Sequence, residues 1–113
     1  MPQRRVILEL GTGNDLHGSD YTKAALRAVQ DAMHHSSLTM IRSLGVDWKT
    51  VQIEATIGVQ KPEAVDRAAV KAAFPSGEVT VKVVKGGLDI PDKEVGDIAV
   101  MASAGIAVRL ELP

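Results

Sequence analysis

Near the C-terminus the chain keeps one phase for fifteen residues. Ile98, Val100, Ala102, Ala104, Ile106, Val108, Leu110 and Leu112 are all apolar. The residues between them (Ala99, Met101, Ser103, Gly105, Ala107, Arg109 and Glu111) are small, polar or mixed. A period of two held this long points to one continuous β-strand with a buried face. At about 3.3 Å per residue it would reach roughly 50 Å. That is long for a single domain of 113 residues, so a bend or bulge is expected near Ser103-Ala104-Gly105. The rest of the chain must supply partners for this strand.

Residues 5–10 read as a short buried strand, with Val6, Leu8 and Leu10 on one side and Ile7 and Glu9 on the other. A helix is predicted over 20–44, capped by Ser19, with Asp20 in its first turn and Gly45 as its stop. Its apolar stripe is Leu26, Val29, Met33, Ser37, Met40, Ile41 and Leu44, with Arg27, Asp31, His35, Thr39 and Arg42 opposite. Residues 51–60 alternate again, Val51, Ile53, Ala55, Ile57 and Val59 sharing a face. An alanine-rich helix follows over 62–74, opened by Pro62. A turn at Pro75-Ser76-Gly77 leads to a strand over 78–85, which Gly86-Gly87 breaks. Residues 88–96, with Pro91, read as an irregular connection.

The resulting order is β-α-β-α-β-β, an α/β (α+β) domain spanning residues 1–113. It has a single mixed four-stranded sheet with two helices on one face. The other face would carry Ile7, Glu9, Gln52, Glu54, Thr56, Thr80, Lys82, Ala99, Met101 and Ser103. That mixture of apolar and polar groups predicts a homo-oligomer, a trimer favoured, that covers it.

Charge and composition narrow the partners. A net charge of −1 gives no electrostatic reason to expect nucleic acid or an anionic membrane. The chain has no cysteine, hence no disulfide, thiolate nucleophile or thiolate metal site. No segment approaches the ~20 apolar residues of a membrane span. The apolar run 6–8 stops at Glu9, too soon for a signal-peptide core. A cytoplasmic location is the expectation.

Chemistry concentrates in Gly11-Thr12-Gly13-Asn14-Asp15-Leu16-His17-Gly18, read as a loop between the first strand and the long helix. A dinucleotide fingerprint would need its third glycine at Leu16. A P-loop would need a lysine after Gly18, where Ser19 and Asp20 stand. A metal site needs three convergent ligands; Asp15 and His17 offer two, and Glu9, Glu54 or His34 are rival thirds, so no metal is assigned. General acid–base chemistry needs fewer parts. Histidine as a residue type titrates near neutrality, and a nearby carboxylate can orient it. Backbone N–H groups of a glycine loop at a helix N-terminus can hold an anion. Asp15 could equally cap its own loop, with the glycines there only for the turn.

Gly11, Gly13, Asp15, His17 and Gly18 form a GxGxDxHG signature. It resembles that of a family of conserved hypothetical proteins of unknown function, a likeness that extends through the long helix, Gly86-Gly87 and the last strand. In layout alone, the element order resembles the trimeric bacterial chorismate mutase fold, its endoribonuclease-like relatives and the ring-opening amidohydrolases. That resemblance implies sheets packed around a central axis with ligands between units. It implies no activity. The mutase arginines have no match, Arg109 being the only arginine after Arg67. Neither Ser19 with Lys23 nor Ser103 matches the amidohydrolase serine–lysine pairs.

The sequence thus predicts a small polar or anionic metabolite bound at this loop, near a subunit interface. Acid–base chemistry of hydrolase or lyase type would fall to His17 and Asp15. Gly11, Thr12, Gly13, Asn14, Gly18, Ser19 and Lys23 would bind the ligand, with Gly86 and Gly87 beside them. The sequence leaves any cofactor open. The alternative is non-catalytic binding, or a structural homo-oligomer in which the loop makes only a turn and interface contacts.

Overall fold

The computed structural model describes residues 3–34, 45, 47, 50–74 and 77–111. Five strands form one sheet: β1 (Gln3–Asp15), β2 (Gln52–Val59), β3 (Glu78–Lys85), β4 (Leu88–Asp92) and β5 (Asp97–Glu111). Two helices pack on it, α1 (Tyr21–His34) and α2 (Arg67–Ala72). The expected extension of α1 through 35–44 lies outside the described residues, as do Pro75, Ser76 and Leu112.

The long last strand is the spine of the sheet. It pairs antiparallel with β1 along one side, and with β2 and then β4 along the other. Beyond β2 comes β3, parallel to it, so the order is β1-β5-β2-β3. Val100, Ala102, Ala104, Ile106, Val108 and Leu110 are buried, as the period of two predicts. The expected bend at 103–105 does not occur. The β1–β5 register runs unbroken from Ile7↔Val108 to Asp15↔Val100, and its one irregularity lies between Arg5 and Ile7. With partners along both sides the strand need not fold back, and the molecule is instead elongated, 56 Å on its long axis.

Two further corrections concern the sheet. It has five strands rather than four, because residues 88–92 form β4 instead of an irregular link. Pro91 does not prevent this: β4 pairs with β5 alone, and an edge strand tolerates a missing N–H. The faces of β1 are also the reverse of the expectation. Ile7 is buried, while Leu8 and Leu10 are exposed on the face away from the helices. Three successive apolar residues, Val6-Ile7-Leu8, carry no phase information; the glycines that follow supply it.

Gly11 and Gly13 lie within β1, not in a loop, and both face α1. A Cβ on Gly13 would stand 2.2 Å from the Ala28 nitrogen, and one on Gly11 would stand 2.4 Å from the Ala32 nitrogen. The opposing stripe, Ala24, Ala28 and Ala32, is fully buried at four-residue spacing, so one row of the helix brings its own backbone against the strand. The helix contact is therefore centred on alanines, and Leu26 and Met33 are only partly buried at its margin. Asp20, not Ser19, caps α1: its Oδ1 accepts the Lys23 N–H at 3.0 Å. The predicted helix over 62–74 is a 3₁₀ turn (Pro62–Ala64) followed by α2, which Asp66 caps.

Candidate functional site

β1 and α1 meet at residues 15–20, beside the first residue of β5. Alternation along β1 turns Asp15 inward, where it is 2% exposed. Its Oδ2 accepts the Asp20 N–H at 2.9 Å. Its Oδ1 lies 3.9 Å from both the Lys23 ammonium and the Arg27 guanidinium, two half-exposed cations on α1. Asp15 is thus the internal anchor of the turn.

Asp97 is the second anchor, reaching the same turn from β5. Its carboxylate accepts the Gly18 N–H at 2.6 Å and the Ser19 hydroxyl at 2.7 Å, and it also takes the N–H of Ile98. The Ser19 bond, then those from Gly18 and Ile98, hold its carboxyl below the ordinary range, and the nearby His17 adds a smaller attraction. Between the two anchors the backbone turns left-handed twice, at Gly18 (φ +104°) and at Ser19 (φ +51°). A non-glycine residue rarely adopts that conformation unless its surroundings impose it. Here two carboxylates do so, and they leave His17 exposed at the crest.

A third contact joins α1 to β4. The Tyr21 hydroxyl donates to Asp89 Oδ2 at 2.5 Å, and Asp89 Oδ1 is buried without a partner among the described residues. Burial, then the bond to Asp89 and the charges of Asp89 and Glu63, push the Tyr21 phenol up to about 12. On the outer side of the turn, Asn14, Leu16, Leu88, Ile90, Ala99 and Met101 line a groove of about 220 Å³.

The structure brings Asp15, His17, Gly18, Ser19 and Lys23 together. It places Gly11 and Gly13 in the helix–strand contact, and turns Thr12 and Asn14 outward on β1. The amide cradle expected for an anion is already occupied: the N–H groups of Thr12, Gly18 and Asp20 bond to Asp31, Asp97 and Asp15. Gly86 and Gly87 carry the chain from β3 to β4. A Cβ on Gly87 would lie 2.2 Å from the Met101 carbonyl oxygen, and Gln60 bonds the Gly86 carbonyl at 3.0 Å. Sequence reasoning missed Asp97, Tyr21 and Asp89. Asp89 was hidden because β4 was not recognised, and Asp97 because its partners lie nearly eighty positions earlier. Among the described residues no group of three or more His, Asp or Glu is placed to hold a metal ion, and no helix is long and apolar enough to cross a membrane.

A five-stranded mixed sheet backed by two helices, with a doubly anchored turn at one end, defines a small α+β protein. The chain belongs to the Lin0512 family of conserved hypothetical proteins, whose model matches residues 5–108. It is similar to an FtsZ-like protein of unknown function from Nostoc punctiforme PCC 73102, known from a crystal structure. That likeness has 32% identity and a TM-score of 0.85, and it covers 99% of each chain. No curated protein matches the chain.

Proposed function

We propose that the turn over residues 14–20 binds a small polar or anionic metabolite, with His17 as its proton-exchanging contact. The observation that carries this reading is the strained, doubly anchored backbone at Gly18 and Ser19, a form of local strain that gathers at ligand sites. With the backbone amides taken by carboxylates, side chains supply the ligand contacts: the exposed His17 at the crest and the half-exposed Lys23 and Arg27, which flank Asp15. Asp15 is buried and acts as a positioning residue that holds the turn and the two cations. His17 is among the groups that hold the Asp97 carboxyl low, so the acid–base pair of a hydrolase- or lyase-type step would be His17 with Asp97. The adjoining groove gives an apolar part of the ligand a place to lie.

A thermal-shift screen against a panel of small carboxylates and phosphates tests this. A ligand at about a hundred times its Kd stabilises the fold by roughly 2.7 kcal/mol, a plain upward shift. His17→Asn, at an exposed position, should leave the melting temperature within about 2 °C of wild type and remove the response. A wild type that no panel member moves, or a variant that responds in full, refutes the reading.

A further inference from the structure

Among the described residues the groove beside the turn is lined by no charged side chain, and Asn14 is its one polar member. Strand register explains its shape. Met101 lies between Asn14 on β1 and Leu88 on β4. Ala99 has Ile90 on one side only, because the β1 pairing ends at Asp15↔Val100. A methyl group therefore forms the floor, and Leu16, Leu88 and Ile90 stand around it, 62%, 48% and 55% exposed. Apolar side chains left that open around one concavity mark a place where something apolar lies.

Positive charge gathers at one end. Leu16 runs directly into the exposed His17, and the Arg27 guanidinium donates to the Asn14 carbonyl. Lys23 and Arg27 both stand 3.9 Å from a single Asp15 oxygen, and one carboxylate can cancel only one of the two charges. The carboxylates of Asp15 and Asp97 are turned onto the turn's own N–H and hydroxyl groups.

From this arrangement we infer that the ligand of the turn is an aliphatic monocarboxylate, its head against His17 and Arg27 and its tail in the groove. This rests on the turn being a ligand site, as proposed above, and names the class of ligand. An apolar cavity of about 150 Å³ takes benzene. The groove, at about 220 Å³, therefore takes a tail of roughly six to eight carbons. A second charge on that tail would lie unpaired among Leu88, Ile90 and Met101, a costly burial, which disfavours dicarboxylates. An alkylamine of the same length would set its ammonium against Arg27 and Lys23.

Amide-shift NMR titration of the whole chain with butyrate, hexanoate, octanoate and decanoate tests the inference, with octylamine and inorganic phosphate as controls. Each added methylene should tighten binding about two- to fourfold as far as octanoate, and decanoate should gain little more. Ala99→Leu fills the floor and should weaken octanoate about tenfold while leaving butyrate within twofold. Leu88→Ser, at an exposed position, should flatten the dependence on chain length without touching the floor. Octanoate binding no tighter than butyrate overturns the inference, as does octylamine binding as well as octanoate, or an octanoate affinity that both variants leave unchanged. Phosphate or butyrate bound by wild type and lost in His17→Asn, with no gain from a longer tail, overturns this inference and leaves the turn a ligand site. A chain that binds none of these probes, phosphate included, overturns both.

Discussion

Gly13→Ala adds one methyl group to the molecule, at the place least able to accept it. The new Cβ would stand 2.2 Å from the Ala28 nitrogen, 2.4 Å from the Ala24 carbonyl oxygen and 2.6 Å from the Arg27 carbonyl carbon. All three are backbone atoms, so no side chain can move aside. Ordinary contact begins at 3.4 Å, hence α1 must withdraw from β1 by about 1 Å. A gap of that size forfeits a quarter to a half of each dispersion contact across it. The loss falls on Ala24, Ala28 and Ala32 together, because they lie on one rigid row. Adding the usual 1–3 kcal/mol of overpacking gives a destabilisation of roughly 2–4 kcal/mol. At about 4 °C per kcal/mol for a chain of this size, the melting temperature should fall by about 8–16 °C in a calorimetric or dichroism melt. Ala28→Gly in the same chain should give no rescue, since the atoms struck belong to the backbone. Thr12→Ala, next door but facing outward, should change the melt by less than about 2 °C. A Gly13→Ala melt within that same margin would refute the close-approach argument.

Tyr21→Phe should cost about 1–3 kcal/mol, measured by urea unfolding, because it strips Asp89 of its donor while the other Asp89 oxygen is already buried and unpaired. Tyr21 is the only tyrosine, so tyrosinate absorbance reads it alone. Its raised pKa means a contribution to stability present in full below about 10 and lost as pH rises through about 12; a native-state midpoint near 10 would contradict the Asp89 bond. Asp97 has the opposite sign. Its lowered pKa gives stability present above about pH 4 and lost as pH falls through the folded value. Melts of Asp97→Asn should therefore lie below wild type at pH 7 and converge with it as pH falls through the folded value, whereas a constant difference would assign Asp97 a role unrelated to its charge.

The parts of the fold that show in the sequence are those that repeat a period. The even residues of β5 from Val100 to Leu110 and the odd residues of β2 are buried as their alternation implies. Where every neighbour is apolar the signal fails: Val6-Ile7-Leu8 conceals which side of β1 is inside. Only the glycines at 11 and 13 settle it, and they do so through the helix they admit, a partner invisible along the chain. β4 escaped notice because Pro91 argues against a strand, and nothing local shows that the segment lies at an edge. The site was half legible. Asp15, His17 and Gly18 sit together in sequence, but Asp97 joins them only because β5 runs antiparallel to β1, a pairing whose register no local pattern encodes.

The close seat of α1 on β1 also divides the run from Gly11 to Gly18 into two parts. Its first two glycines answer to helix–strand spacing, and Asp15, His17 and Gly18 belong to the turn. The two halves are therefore free to diverge on separate terms. A chain that had lost whatever the turn accomplishes would still need small residues at 11 and 13, or else a displaced helix. A chain that moved the helix outward could discard both glycines and keep the turn whole. Finding G-x-G alone in another sequence would therefore testify to the helix seat; only Asp-x-His-Gly followed by a left-handed residue, with a carboxylate opposite, would testify to the turn.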